Sequence, residues 1–288
     1  MRLSHTRPVV AATFDEPNLV SAAGLVPVMR LARAAGLDTM ADRLLTVPTD
    51  KGANSGGKVA ALVAGMVAGA DSIDDMALLR HGAMGRLFDR PYAPSTLGSF
   101  LRAFRFGHVR QLDAVAARLL VGLAARTPLL AGVGDRLVCV DVDDMVIEVH
   151  GYAKQGAGFG YTGVRGLNTL LATVSTDRAA PVVVAQRLRK GSANSARGAQ
   201  RLVRDALATV RALRGQQAAS RVLLRADSAF YGHATVGSAV QAGAQVSVTV
   251  RMDPKVKAAI AGIPADAWTA IEYTEAIYDQ ESGGSCPR

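Results

Sequence analysis

Residues 136–149 read RLVCVDVDDMVIEV. Apolar residues alternate with Cys139, Asp141 and Asp143, the period of a strand that buries one face. Arg136 to Asp143 reads as one strand and Met145 to Val149 as a second, with Asp143-Asp144 fitting either a turn between them or a ligand position. Their shared parity places Asp141 and Asp143 on the same strand face. Acidic residues in apolar strands are uncommon unless something pairs with them. The run therefore bears on both the fold and the chemistry.

Downstream, Leu167 to Thr176 and Pro181 to Leu188 are strand-like. Ala196 to Leu213 is helical, with apolar residues near the helical period and Arg on the other face. Strand Val222–Ala226, helix Ala234–Ala242, strand Gln245–Val250 and a helix from Pro254 to Ala261 follow. Three or four strands and then an alternation of helix and strand define an α/β domain with a mixed sheet flanked by helices.

Upstream, Lys58 to Arg126 is helical throughout. Ser72 and Ser95 stand as N-caps, and Pro91 and Pro94 break the chain before the second. A helix over Leu25 to Ala35, an extended arm over Pro8 to Phe14 and a linker at 46–57 (TVPTDKGANSGG) complete the region. Short helices carrying Arg102, Arg105 and Arg110 suit a helix-turn-helix-like DNA-binding region, and a plain bundle fits the same pattern. The expected layout is a mainly helical region at 1–130, an α/β core at 131–265 and a short segment at 266–288.

With 288 residues, 49% of them hydrophobic and 20% charged, the chain can bury a core and falls outside the disordered class. Two cysteines, Cys139 and Cys286, make neither a disulfide framework nor a zinc knuckle. No secretory signal is visible, and Val59 to Ala70 is too short to span a bilayer, so a cytoplasmic chain without a membrane partner is expected. The net charge of +9 points to a polyanionic partner. Its source is local: between Arg187 and Arg225 ten basic residues stand against one acid, Asp205, so 10 − 1 = +9. A solvated Arg-rich helix face is the alternative reading of that run.

A second acid follows a strand in LLRADSAFYGH (223–233), where Asp227 fits either a helix cap or a metal ligand. Carboxylates brought together from neighbouring strands repel one another and are tolerated when a divalent cation lies between them. Mg²⁺ or Mn²⁺ suits such a pair, because Mg²⁺ takes one or two protein carboxylates and fills its other positions with water and phosphate oxygens. Two such ions serve in-line phosphoryl displacement.

Three stretches, VDVDDMVIEVHGYAKQGAGFGYTGVRGLNTLLATVSTD (140–177), RLRKGSANSARGAQ (187–200) and LLRADSAFYGH, resemble the catalytic domain of bacterial insertion-sequence DDE transposases. APSTLGSFLRAF (93–104) adds weaker likeness in the helical part. The resemblance implies an RNase H-like core in which Asp143 and Asp227 are the first two catalytic, metal-holding acids, with Asp141 the alternative for the first. It implies DNA cleavage and strand transfer at terminal inverted repeats, with double-stranded DNA (element ends and target) as partner in a homodimer or synaptic complex. Arg187, Arg189, Lys190, Arg197, Arg201, Arg204, Arg225 and Arg165 are the expected DNA contacts. Met145 departs from the pattern, which usually has Thr there.

The family mechanism also needs a Glu on a late helix, beyond a β-rich insertion. AWTAIEYTEAIYDQES (267–282) resembles the start of that insertion, and GGSCPR (283–288) follows without helical or strand pattern. Glu272, Glu275 and Glu281 read as solvated residues, so a truncated chain lacking its third acid is expected. A DNA-binding remnant without catalysis is the alternative function. His150 and His233 lack ligands at metal spacing and read as loop residues. The Gly-rich run 151–166 lacks the G-x-x-x-x-G-K-[ST] pattern of a nucleotide cradle and reads as a loop whose Lys154, Tyr161 and Arg165 lie near DNA.

Overall fold

Strand β1, Val138–Glu148, runs without a break through both aspartates at 143 and 144. The two strands expected here are one, because the partner strand keeps supplying hydrogen bonds past Asp144. Strand β3, Arg165–Thr176, pairs antiparallel with β1 from Cys139↔Ser175 to Glu148↔Gly166. The computed structural model describes residues 18–89, 91–151, 154–215, 221–269, 277–279 and 284–286. The extended arm expected at 8–14 and Glu272, Glu275 and Glu281 lie outside them.

On its other edge β1 pairs in parallel with β5, Val222–Ala226, from Val138↔Val222 to Val142↔Ala226. Strand β6, Gln245–Val248, pairs in parallel with β5. Strand β4, Ala179–Lys190, and the two-residue β2, Gly158–Phe159, share the far edge of β3, both antiparallel to it. The sheet is thus mixed: β4 (with β2), β3 and β1 antiparallel, then β1, β5 and β6 parallel. Antiparallel neighbours need only turns, whereas the parallel steps need helical crossovers. Helices α6, Ala199–Arg214, and α7, His233–Gln241, supply them.

Even-numbered residues of β1 face the core. Val138, Val140 and Val142 are buried with Leu170, Ala172 and Val174 of β3 and Val222 and Leu224 of β5. Leu202, Val203, Ala206 and Val210 of α6 cover them, at the i, i+1, i+4, i+8 spacing of one helix face. Each large side chain buried this way contributes roughly 1.5–3 kcal/mol. The odd-numbered face carries Cys139, Asp141 and Asp143 and is more open: Met145 is 49% exposed.

The N-terminal helices form their own cluster. They are α1, Leu25–Ala34; α2, Leu37–Leu44; α3, Ser55–Val67; α4, Pro94–Arg102; and α5, Phe106–Ala124. Leu37, Val59, Leu62, Leu97, Phe100 and Val115 fill the space between them. The stretch expected as linker at 46–57 holds a 3₁₀ turn at Asp50–Gly52 and the first turn of α3. Asn54 caps α3 by accepting from the Gly57 N–H at 3.3 Å. Ser95 lies inside α4, since Pro94 takes the first helical position and Ala93 the cap. Ser72 exchanges hydrogen bonds with Asp75 ahead of a 3₁₀ run, Asp74–Arg80, rather than an α-helix.

Glycines explain the 151–166 run. A Cβ at Gly191 would stand 2.1 Å from the Gly166 carbonyl oxygen and 2.3 Å from that of Gly158. The chain leaving β4 passes directly over the β2–β3 pair, and only glycine leaves room for the crossing.

Residues 1–248 and 249–288 form separate compact units. The second holds helix α8, Pro254–Ala261, capped by Asp253 accepting from the Val256 N–H at 3.0 Å. It also holds an antiparallel pair of short strands, β7, Ile277–Asp279, and β8, Gly284–Cys286, the latter in the stretch expected to lack strand pattern. No described helix is long and apolar enough to cross a membrane.

Candidate acidic site

The last register pair of β1 and β5 is Val142↔Ala226, so the next residues on the two strands are Asp143 and Asp227. Asp227 has extended backbone (φ −80°, ψ −178°) and continues the alternation of β5 before a 3₁₀ turn at Ser228–Phe230. Parallel neighbours in register point to one face. Both carboxylates therefore stand on the open face of the sheet. Both residues are exposed, and among the described residues neither carries an ion pair. Asp143 accepts from the Asp144 N–H at 2.7 Å, and Asp227 from the Ala229 N–H at 3.0 Å. Asp227 is thus both a cap and an available carboxylate, and the two readings of its sequence context coexist.

Asp141 is differently placed. Its register partner on β5 is Arg225, which grips it side-on: Nε to Oδ1 at 2.6 Å and NH2 to Oδ2 at 2.8 Å. These hydrogen bonds hold the Arg225 guanidinium above its ordinary value. A carboxylate with both oxygens on an arginine has less to offer a cation than Asp143 has.

Asp144 points the other way, into the core, with its side chain only 6% exposed. Its Oδ2 accepts from Arg189 NH2 of β4 at 3.0 Å and from Asn168 Nδ2 of β3 at 2.5 Å. Arg189 also donates to Asn168 Oδ1 and to the carbonyls of Asn194 (3.1 Å), Ser195 (3.0 Å) and Arg197 (2.5 Å). Burial pulls the Arg189 guanidinium below its ordinary value, and Asp144 opposes that pull. One side chain thus fixes β1, β3, β4 and the turn entering α6. Asn168 is a functional contact not expected from the sequence above, although an amide inside the apolar run LNTLLATV signals a buried polar contact.

The basic residues divide into two groups. Arg187 is buried and pairs with Asp205 of α6, which also receives Arg110 of α5 at 3.2 Å. Arg187 and Arg189 are committed inside the fold, Arg225 holds Asp141, and Arg165 donates to the carbonyl of Gly151 at 2.8 Å. Lys190, Arg197, Arg201 and Arg204 are exposed, and among the described residues none of the four forms an ion pair. Arg201 and Arg204, with Arg211, line the solvent side of α6. His150 and His233 are exposed. Among the described residues no group of three or more His, Cys, Asp or Glu is placed to hold a metal ion.

A mixed α/β sheet with two exposed carboxylates at neighbouring strand positions on its open face, and a basic helix packed on its other face, is the setting in which the family relationship falls. The chain belongs to the transposase DDE domain, group 1, whose family model matches residues 3–283. No curated protein matches the sequence. Among solved structures, the Mos1 strand transfer complex is similar at 16% identity and a TM-score of 0.23, over 71% of this chain. The match spans 63% of that chain's length.

Proposed function

We propose that the chain is an insertion-sequence transposase of bacterial type, cutting and joining DNA at terminal inverted repeats by metal-assisted phosphoryl transfer. The observation that carries this is the placement of Asp143 and Asp227 side by side on the open face of a DDE-family sheet, exposed and free of ion pairs. The strand sequence, three antiparallel and then two parallel, supports an RNase H-like core at 131–265. The helices of 1–130 and the exposed Lys190, Arg197, Arg201 and Arg204 would grip double-stranded DNA, in a dimer or synaptic assembly.

The donor set fits a hard divalent cation, since two exposed carboxylates with open coordination sites are what Mg²⁺ or Mn²⁺ accepts from a protein. Asp143 and Asp227 would hold it. Once bound, such an ion neutralises charge on a phosphoryl oxygen and lowers the pKa of an attacking water or hydroxyl. The chain's own residues do the rest. The Ala229 N–H orients Asp227, the Asp144 N–H orients Asp143, and the buried Arg189–Asp144–Asn168 group fixes the part of β1 that presents Asp143.

The test is incubation of the purified chain with Mg²⁺ or Mn²⁺ and DNA carrying the repeats that flank its own gene. Cleavage at the repeat ends, lost in Asp143→Asn and in Asp227→Asn but kept in Asp141→Asn, is the expected result. Cleavage that survives both of the first two substitutions would sink the reading. Repeat binding without cleavage would favour a DNA-binding chain that does not itself transpose.

A further inference from the structure

The open face of the sheet carries three carboxylates and one guanidinium within a small area. Asp141 and Asp143 are two residues apart on β1, which is about 6.6 Å along a strand, and neighbouring strands lie about 4.8 Å apart. Arg225 stands beside Asp141 and one same-face step before Asp227. Asp141 is one same-face step from Asp143, the next acid along the strand from any cation seated at Asp143 and Asp227. It is not left alone: the bidentate fork of Arg225 occupies both its oxygens. The pair is only partly shielded, with side chains 48% and 36% exposed, so it fills no core, and it joins β1 to β5 only where the two strands already pair. Exposed ion pairs contribute little to stability. Its position in the register accounts for it better.

We propose that Arg225 is a positioning residue that holds Asp141 out of the cation site, so that β1 offers Asp143 as its one ligand. This rests on the reading of Asp143 and Asp227 as the cation-holding acids. Mg²⁺ keeps most of its shell for water and phosphate oxygens when few carboxylates bind it. An additional carboxylate would tighten the ion but take a coordination position from water or substrate. Arg225 therefore trades cation affinity for open coordination. Because Arg225 and Asp141 cancel in charge, the device leaves the net charge of the face unaltered.

The test uses Mn²⁺ alone as probe, with the whole chain and no DNA. Binding is titrated by electron paramagnetic resonance of free Mn²⁺, and water relaxivity counts the waters left on the bound ion. Arg225→Met releases Asp141. It is expected to tighten Mn²⁺ binding about tenfold, as an added negative charge and ligand within several ångströms would, and to remove one bound water. The double variant Arg225→Met with Asp141→Asn should restore both readings to those of the unaltered chain. Arg225→Lys, which keeps a cation against Asp141, should leave affinity and water count unchanged. Arg225→Gln is a second charge-free replacement should the Met variant fail to fold, and it is expected to shift both readings the same way.

Two outcomes overturn the proposal. In one, Arg225→Met tightens binding only as much as Asp141→Asn weakens it, with the water count unchanged, so that charge alone is at work. In the other, the double variant binds as tightly as Arg225→Met. Failure of the underlying reading looks different: Mn²⁺ binding would then be absent at millimolar concentration, or indifferent to Asp143→Asn and Asp227→Asn. Binding that depends on both acids but ignores Arg225→Met removes the proposal for Arg225 alone.

Discussion

Arg189 of β4 and Asp144 of β1 are joined across the intervening strand β3, NH2 to Oδ2 at 3.0 Å, with both side chains less than a tenth exposed. Asn168 sits between them and bonds to each. If the arginine were removed, Asp144 Oδ2 would keep only the Asn168 amide as a donor and the buried carboxylate would lose its counter-charge.

Arg189→Ala should therefore cost about 3–5 kcal/mol, the usual penalty for leaving one member of a buried pair without the other. The loss should exceed that from Arg136→Ala, since the Arg136–Asp177 pair lies at the surface, with side chains 44% and 52% exposed. Denaturant unfolding of the two variants measures the difference. Equal losses would show that the buried group is not what fixes the strands.

Gly191→Ala should be destabilising by a few kcal/mol, in the range reported for overpacking and backbone displacement. A methyl group there meets backbone oxygens of Gly166 and Gly158 rather than a side chain that could swing away. Gly232→Ala, where a Cβ meets nothing within 4 Å, is the control and should cost only the weaker N-cap that Ala gives α7, well below the Gly191 loss. Thermal unfolding of both variants decides the matter.

How much of this could be read from residues alone depends on which forces were local. The strands Val222–Ala226 and Leu167–Thr176 and the helix Pro254–Ala261 were legible, because alternation, β-branching and a Pro at the first helical turn act within a few residues. The break expected between Asp143 and Met145 was wrong because pairing with β3, a long-range contact, overrides two successive acids. Helix α2 was missed although Leu37, Met40, Ala41 and Leu44 keep the i, i+3, i+4, i+7 spacing of a helix face, because its eight residues after the Gly36 break (φ 91°) fall short of the window of about 11 residues over which that period is read. Asp143 was legible as an acid on the same strand face as Asp141, and Asp227 as an acid following a strand; their exposure was not. The division among the arginines was not, because nothing in the spacing of Arg187, Arg189 and Arg201 says that the first two turn inward on a strand and the third outward on a helix.

Acid should weaken one tie between the sheet and the segment leading into it. Hydrogen bonds from Arg136 hold the Asp177 carboxyl below its ordinary value of 3.8. The sign follows from linkage: a folded value below the unfolded one gives stability that is full above the ordinary value and is lost as pH falls through the folded value. Asp177→Asn should thus lower the melting temperature at pH 6, and the difference should shrink as pH falls below 3.8. Parallel melting curves across that whole range would contradict the assignment.

Asp227 carries a cap and a proposed cation ligand on one side chain, and two substitutions separate them. Asn caps helices about as well as Asp and brings no charge, so Asp227→Asn should melt like the unaltered chain when no cation is present. Asp227→Ala removes the acceptor for the Ala229 N–H and should cost about 0.5–2 kcal/mol, as loss of a cap does. Addition of millimolar Mn²⁺ should raise the melting temperature of the unaltered chain and of neither variant, because only a state that binds the ion gains stability from it. An equal rise in Asp227→Asn would remove Asp227 from the site.

The exposed arginines of α6 offer a reading that does not depend on catalysis. Arg201, Arg204 and Arg211 stand on its solvent side, and among the described residues none forms an ion pair. If they meet phosphates, each contact releases about 0.9 counterion from duplex DNA. Replacing all three by Gln should weaken binding to any duplex sequence. It should also flatten the dependence of log K on log salt by about 2–3, since phosphate contacts carry affinity without reading bases. Arg187→Gln provides the contrast: it breaks an inward pair with Asp205, so it should lower stability far more than it changes the salt slope. A salt slope that stays the same in the triple variant would move the DNA away from α6.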